Sequence, residues 1–460
     1  MNFLVRVILT AALGAGMAFS QEYLSIDKAV SIALDQNRSL LSARHDVTAS
    51  HWGKLNAVTN FLPKVEISSS VTRIDEQTLA MANAAVDFIK QVAGPLGIPP
   101  SMLSDLRPFA YKDTYATGVT VVQPVYNGGA EIVGLSAANA LEDRSEFSFE
   151  DAEQDVTART KIAYFTVLKA QELVALAHEA AERTKRYLDM TSRRAALGQR
   201  TQTDVLRWEV ACASSQGTTI TAENGLAMSR IQLNEVMGVE LERQFVLEAV
   251  GRPDSAVLVA SVASAVVGGG APAAFDPGFL DAHPAMKAMD ASLRLADANV
   301  EKSWVNFKPR INAAFQYGWE KNGTFALDGI RPWALALSVS YPLFNGFGDF
   351  TNMEKARYEY KRTEAQVETF RRGLMMAATN ARLSLNAAQQ RMETARKAQE
   401  EALEVLNSVT RRYEMGGASN VDLIDVQTAF TSAKTDYITA YYDFLIADTQ
   451  LARATGTLHP

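Results

Sequence analysis

Arg193-Arg194-Ala195-Ala196-Leu197-Gly198, with Asp204 six residues further on, decides how this chain is read, because Arg411-Arg412-Tyr413-Glu414-Met415-Gly416 and Asp422 repeat it 218 residues later. The same shift carries Pro124, Asn127 and Gly128 onto Pro342, Asn345 and Gly346, and Gly238 onto Gly456. A register held over so long a stretch marks an internal duplication. Upstream the shift becomes 246, with Pro63 on Pro309 and Asn37-Arg38-Ser39-Leu40 on His283-Pro284-Ala285-Met286. The difference of 28 places an insertion between Pro63 and Pro124, over residues 75–112. The chain is therefore expected to divide into a first repeat, 21–250, a connector, 251–276, carrying Gly268-Gly269-Gly270, and a second repeat, 277–460.

Proline placement supplies the architecture. None occurs between Pro124 and Pro253 or between Pro342 and Pro460, which leaves two long stretches free to be helix. In the second, Leu385, Ala388, Met392, Ala395, Ala402, Leu406, Val409 and Tyr413 follow the 3-4 spacing of a coiled-coil seam. Each stretch breaks once, at Gly198 or at Gly416-Gly417, followed by Thr201 or Ser419, and each break predicts a helix hairpin. The segment from Ala130 to Ala196 gives roughly 100 Å of helix. The return from Thr201 to Met237 and an opening helix from Ser25 to Phe61 give roughly 55 Å each, so two short helices match one long one. The second repeat shows the same plan, with an opening segment from Ala282 to Phe307, a long one from Gly348 to Glu414 and a return from Ser419 to Thr455.

Between the helices lie four stretches of period two. Ile311, Ala313, Phe315, Tyr317 and Trp319 alternate with small or polar residues, as do Trp333, Leu335, Leu337, Val339 and Tyr341. Val65, Ile67 and Val71, and Tyr115, Thr117, Val119 and Val121, are weaker versions. Strands with an apolar face, a polar face and aromatic ends fit a lipid-facing barrel with a wet lumen. Four strands cannot close such a barrel, since membrane barrels start at about eight and lipid tolerates no open edge. Three copies supply twelve.

Composition excludes other classes. Apolar residues at 47% and charged residues at 21% describe an ordinary folded chain, and a formal charge of −7 offers no general attraction to nucleic acid. The single cysteine, Cys212, forms no internal disulfide or cysteine-based metal site, and His45, His51, His178, His283 and His459 are scattered without helical zinc spacing. No phosphate-binding glycine loop is present, so no catalytic residue, metal or cofactor is expected. Arg6, the uncharged run Val7 to Phe19 and Ala18-Phe19-Ser20 read as a secretory signal sequence over residues 1–20, cleaved after Ser20.

The two-copy order of helix, two strands, long helix and return helix is similar to that of the TolC family of outer-membrane channel proteins. The motifs that carry the resemblance are Gln123-Pro124-Val125-Tyr126-Asn127-Gly128-Gly129, Tyr341-Pro342-Leu343-Phe344-Asn345-Gly346 and the hairpins at Gly198 and Gly416. It implies a mainly α fold with a small β part: tandem repeats of long coiled-coil helices, plus four strands contributing to a trimeric, twelve-stranded transmembrane β-barrel in the outer membrane. Its implied partners are two further copies of the chain, a periplasmic adaptor protein, an inner-membrane pump and outer-membrane lipid. The implied function is the passive exit duct of a tripartite efflux pump, with a type I secretion duct as the alternative. A secreted coiled-coil scaffold without a pore is the remaining reading.

Candidate gate residues follow. Asp422 and Asp425 share a helix face, and a three-fold axis would multiply them into a carboxylate ring of the kind that selects cations. By resemblance they match paired aspartates lining the family's periplasmic entrance. Ser419-x-x-Asp422 and Thr201-x-x-Asp204 are also capping boxes, whereas Asp425 has Arg207 as its counterpart. The resemblance further implies a closed-state latch at Tyr413 and Asp204, although the family's latch arginine falls on Ala418, so that the latch is either incomplete or completed by another cation such as Arg412 or Arg200. It implies adaptor docking at the hairpin tips, Leu197 and Gly198 with Met415 and Gly416. Tyr413 is equally a seam residue, and the glycines are equally helix terminators. The insertion predicts a short amphipathic helix and a proline-rich return at the extracellular mouth.

Overall fold

The computed structural model describes residues 22–103, 106–248 and 278–458; the expected signal sequence, 1–20, and the connector, 251–276, lie outside them. Strand β1 (Glu22–Leu24) leads into α1 (Ile26–Gln36), where the Ser25 hydroxyl accepts the Lys28 N–H. The single opening helix expected from Ser25 to Phe61 is broken at Asn37 and resumes as α2 (Arg38–Thr59). Asn37 Oδ1 accepts the backbone N–H groups of Ser39 and Leu40 at 3.0 and 3.1 Å, while its Nδ2 donates to the Val236 carbonyl at 2.7 Å. A short polar side chain that satisfies the first donors of a new helix competes with continuing the old one.

β2 (Lys64–Arg73) follows, then α3 (Glu76–Ala93), the single turn α4 (Pro100–Leu103) and β3 (Asp113–Asn127). α5 (Ala130–Ala196) is one helix of 67 residues, and α6 (Gln202–Met237) returns after the hairpin. β4 (Phe245–Leu247) pairs in parallel with β1. Three residues on each side are too few for an alternation signal, which is why periodicity did not reveal this pair. The second repeat supplies α7 (Gly278–Ala282), α8 (Pro284–Trp304), β5 (Arg310–Asn322) and β6 (Trp333–Ser340). It closes with α9 (Gly348–Glu414), again 67 residues, and α10 (Asn420–Ala454). No described helix is long and apolar enough to cross a membrane.

The chain forms two compact units, each drawing on both repeats. The helical unit takes the described residues up to Thr48, those of Asp143–Asp290 and those from Ala365 onward. Its core joins Leu24, Ala33, Tyr164, Val167, Leu233 and Met237, and the Tyr164 hydroxyl lies 2.8 Å from the carbonyls of both Leu24 and Glu248. The seam of α9 is buried as its spacing requires: Leu385, Ala388, Leu406 and Tyr413 are enclosed, with Met392, Ala402 and Val409 packed beside them.

The sheet unit comprises Ala49–Glu142 and Ala291–Glu364. Its four strands run antiparallel in the order β2-β3-β5-β6. The register sets Val65, Val121, Phe315 and Leu335 in one row and Ile67, Val119, Tyr317 and Trp333 in the next row of the same face. Rows between them, such as Glu66, Thr120, Gln316 and Ala334, form the opposite face. One face is mainly apolar, crossed by the hydrogen-bonded pair Ser69 and Thr117, and the other is small and polar, because side chains alternate along each strand. Every residue of β2 and β6 is exposed, and each strand has one neighbour among the described strands. At the other end of this unit, Glu142 on α5 accepts from His51 Nδ1 at 2.9 Å and Lys54 Nζ at 2.7 Å, tying α2 to α5.

Candidate functional site

Both helix hairpins are built the same way. Gly198 and Gly416 adopt φ values of 72° and 80°, conformations that side chains with a Cβ resist. The next N–H reaches back to the last turn, Gln199 to the Arg194 carbonyl at 2.9 Å and Gly417 to the Arg412 carbonyl at 2.7 Å. The return helices then start on reciprocal capping boxes. Asp204 Oδ2 accepts the Thr201 N–H and hydroxyl at 3.1 and 2.8 Å, and Asp422 Oδ2 accepts the same pair from Ser419 at 2.9 and 2.8 Å. These bonds hold both carboxyls below the usual aspartate range; the Thr201 hydroxyl is the largest cause at Asp204 and the Ser419 backbone N–H at Asp422.

Asp422 is therefore engaged in its cap, whereas Asp425, one turn further along α10, is exposed and makes no such bond. It lines a groove of about 960 Å³ within the helical unit, together with Leu206, Arg207, Val421, Ile424 and Thr428. Leu197 and Met415 project from the two hairpin tips and are exposed.

Tyr413 is fully buried, at 0% exposure. Its hydroxyl donates to Asn420 Oδ1 at 2.6 Å and lies 3.3 Å from the Thr191 hydroxyl. The ring meets Tyr187 edge-on with centroids 6.0 Å apart, and Tyr187 in turn stacks on the buried Trp208 at 5.3 Å. The Arg200 guanidinium carbon lies 5.1 Å from the Tyr413 ring centroid, within cation–π range. Tyr413 and Asp204 are not brought together, because the Tyr413 hydroxyl is committed to Asn420 and the Asp204 carboxylate to Thr201. Of the two cations considered as substitutes at Ala418, Arg200 takes the place on the ring.

Thr191, Asn420, Tyr187 and Trp208 belong to none of the motifs read from the sequence. A signal was present in the 218-residue register, which aligns Arg200 with Ala418, Ala195 with Tyr413, Thr191 with Val409 and Gln202 with Asn420. The cluster is assembled where the two copies differ, so no repeated motif marks its positions.

Protein CyaE of Bordetella pertussis is 26% identical over 327 residues, covering 70% of this chain and 66% of that protein. Outer membrane protein TolC of Escherichia coli is 23% identical, covering 68% of this chain and 64% of that protein. The chain thus matches just under two thirds of the length of either relative. The crystal structure of the Campylobacter jejuni CmeC outer membrane channel superposes with a TM-score of 0.78 at 15% identity, covering 94% of this chain and 85% of that one. It shares the fold, long helices with strands that contribute to a barrel. The profile of the outer membrane efflux protein family matches residues 29–239 and 279–457. The chain belongs to the outer membrane efflux protein family.

Proposed function

We propose that three copies of this chain form the passive exit duct of a tripartite efflux or secretion system in the outer membrane. The observation that carries this reading is the sheet: one mainly apolar face, one small and polar face, and two edges without partners among the described residues. An open edge is intolerable in lipid, so β6 of one copy pairs with β2 of the next until the ring closes. Two copies would give a barrel filled by its own side chains, while three give twelve strands around a wet lumen. A soluble scaffold would leave Trp333, Leu335, Leu337 and Val339 in water on a single face, a cost that lipid removes.

Within the duct, Asp425 forms the cation-selecting ring and Asp422 starts its helix. Tyr413 is the latch, held by Arg200, Thr191 and Asn420, and Asp204 secures the return helix of the first hairpin. Leu197 and Met415, presented by the turns at Gly198 and Gly416, are the adaptor contacts, and the adaptor links the duct to an inner-membrane pump. Purified protein in detergent should have the mass of three chains and should conduct in a planar bilayer. A water-soluble monomer without conductance would overturn the proposal.

A further inference from the structure

Helix α3 has two apolar faces where a surface helix has one. Leu79, Asn83, Val86 and Ala93 lie on the face turned toward its own chain. There Val86 and Ala93 are buried, and Asn83 Oδ1 accepts the N–H groups of Phe109 and Ala110 at 2.8 and 3.0 Å. Asn83 Nδ2 also donates to the Ala110 carbonyl at 2.9 Å. Roughly 180° around the helix, Met81, Ala85, Phe88 and Val92 form a second stripe. Met81 is 74% exposed and Phe88 63%, and Ala85 is exposed beside them, so this stripe is uncovered by its own chain except at Val92, which is half-buried.

A matching patch stands at the same end of the sheet. The loop between β5 and β6 exposes Phe325, Leu327 and Ile330, although Phe325 keeps an edge contact with Tyr115 of its own chain. The two patches sit above opposite edges. β2 ends at Arg73 and α3 begins at Glu76, so α3 rises from the β2 edge, while the loop leads into the β6 edge. Any closure that pairs β6 of one copy with β2 of another carries the loop of the first to the helix of the second.

Charge separates both patches from lipid. The register puts Arg73 and Asp113 on the apolar face of the sheet, where Arg73 Nε meets Asp113 Oδ1 at 2.6 Å, and Lys321 on that face meets Asp328 Oδ1 at 2.6 Å. Lys112 and Glu76 add a third pair at 3.1 Å. Ion pairs that end the apolar face mark the rim of the hydrocarbon layer, and the patches lie beyond it.

We infer that the outer face of α3 is a subunit contact that receives the β5–β6 loop of the neighbouring copy. The contact is heterologous and closes with the ring. The inference rests on the trimeric barrel proposed above. It is tested by bismaleimide cross-linking of the pairs Phe88→Cys with Leu327→Cys and Met81→Cys with Phe325→Cys, in a Cys212→Ser chain, with the detergent mass measured first. A trimeric mass with cross-linked bands at two and three chain masses is expected. A trimeric mass with monomer bands alone from both pairs overturns the contact while leaving the barrel. In that case labelling of the thiol at position 88 by a bilayer-borne maleimide would name lipid as the occupant, and labelling by an aqueous one would leave the face to solvent or another partner. A monomeric mass overturns the barrel and the contact together.

Discussion

The Arg200 guanidinium of the first hairpin lies over the ring of Tyr413 at the end of the second long helix, 5.1 Å from its centroid. The two residues belong to different repeats, and the contact joins the hairpins within one chain. A cation–π contact of this kind is worth about 0.5–1 kcal/mol at an exposed site. Arg200→Ala should therefore shift the closed-to-open ratio about two- to fivefold toward opening. Tyr413→Phe should shift it further, about tenfold, because it leaves Asn420 Oδ1 buried without its donor. Open probability in planar bilayers reads both changes. Asp204→Ala should leave opening unchanged while weakening the cap; increased opening would restore Asp204 to the latch.

Two aspartates one turn apart should separate by phenotype. Asp422→Ala removes the carboxylate half of a capping box, the acceptor of the Ser419 N–H and hydroxyl, and should cost about 1 kcal/mol of stability, visible in thermal unfolding. Asp425→Ala makes no such loss, but should weaken block of the open pore by multivalent cations by about tenfold or more if three carboxylates form the ring. Equal block in the wild-type chain and Asp425→Ala would remove Asp425 from the gate.

His283 gives the helical unit a pH dependence. It is buried, its Nδ1 accepts the Ala285 N–H at 3.2 Å, and burial pushes its imidazole below the ordinary value; the charge of Asp151 and a hydrogen bond with the Arg453 backbone oppose this, and the charge of Arg453 assists it. Because the folded pKa is depressed, the unfolded chain takes up the proton first as pH falls below 6.5. Stability should be unaffected above that value. It should decline below it by up to about 1.4 kcal/mol per pH unit, and level off beneath the folded pKa. His283→Asn places there the residue that starts the matching helix of the first repeat, Asn37, and should flatten the profile measured by denaturant unfolding between pH 7 and pH 5.

Leu197 and Met415 are exposed side chains at the hairpin turns, so changing them tests docking without disturbing the core. Leu197→Glu or Met415→Glu should leave the trimer and its conductance intact and abolish adaptor-dependent transport in cells. Normal transport would locate docking elsewhere.

Much of the fold was legible in the residues. The distance between prolines and the repeated hairpin motif gave both long helices, because proline and glycine act on the backbone directly wherever they fall. The two faces of the sheet followed from alternation in β5 and β6, and the register extended them across β2 and β3. The β1–β4 pair was not legible, since each strand depends on a partner about two hundred residues away, and helical periodicity carried no mark of the local cap by which Asn37 breaks the opening helix. At the candidate gate, the caps of Asp204 and Asp422 were readable from three-residue spacing, a local property. The surroundings of Tyr413 were not: Thr191, Trp208 and Arg200 reach it only through the packing of three helices.

The central claim is that four strands per chain close a conducting barrel only in threes. Single-channel recording of the purified protein in a planar bilayer, on a sample whose detergent-corrected mass is known, addresses it most directly. The account predicts a mass of three chains and discrete cation-selective conductance that rises in Tyr413→Phe. A monomer or dimer that leaves the bilayer silent would contradict it.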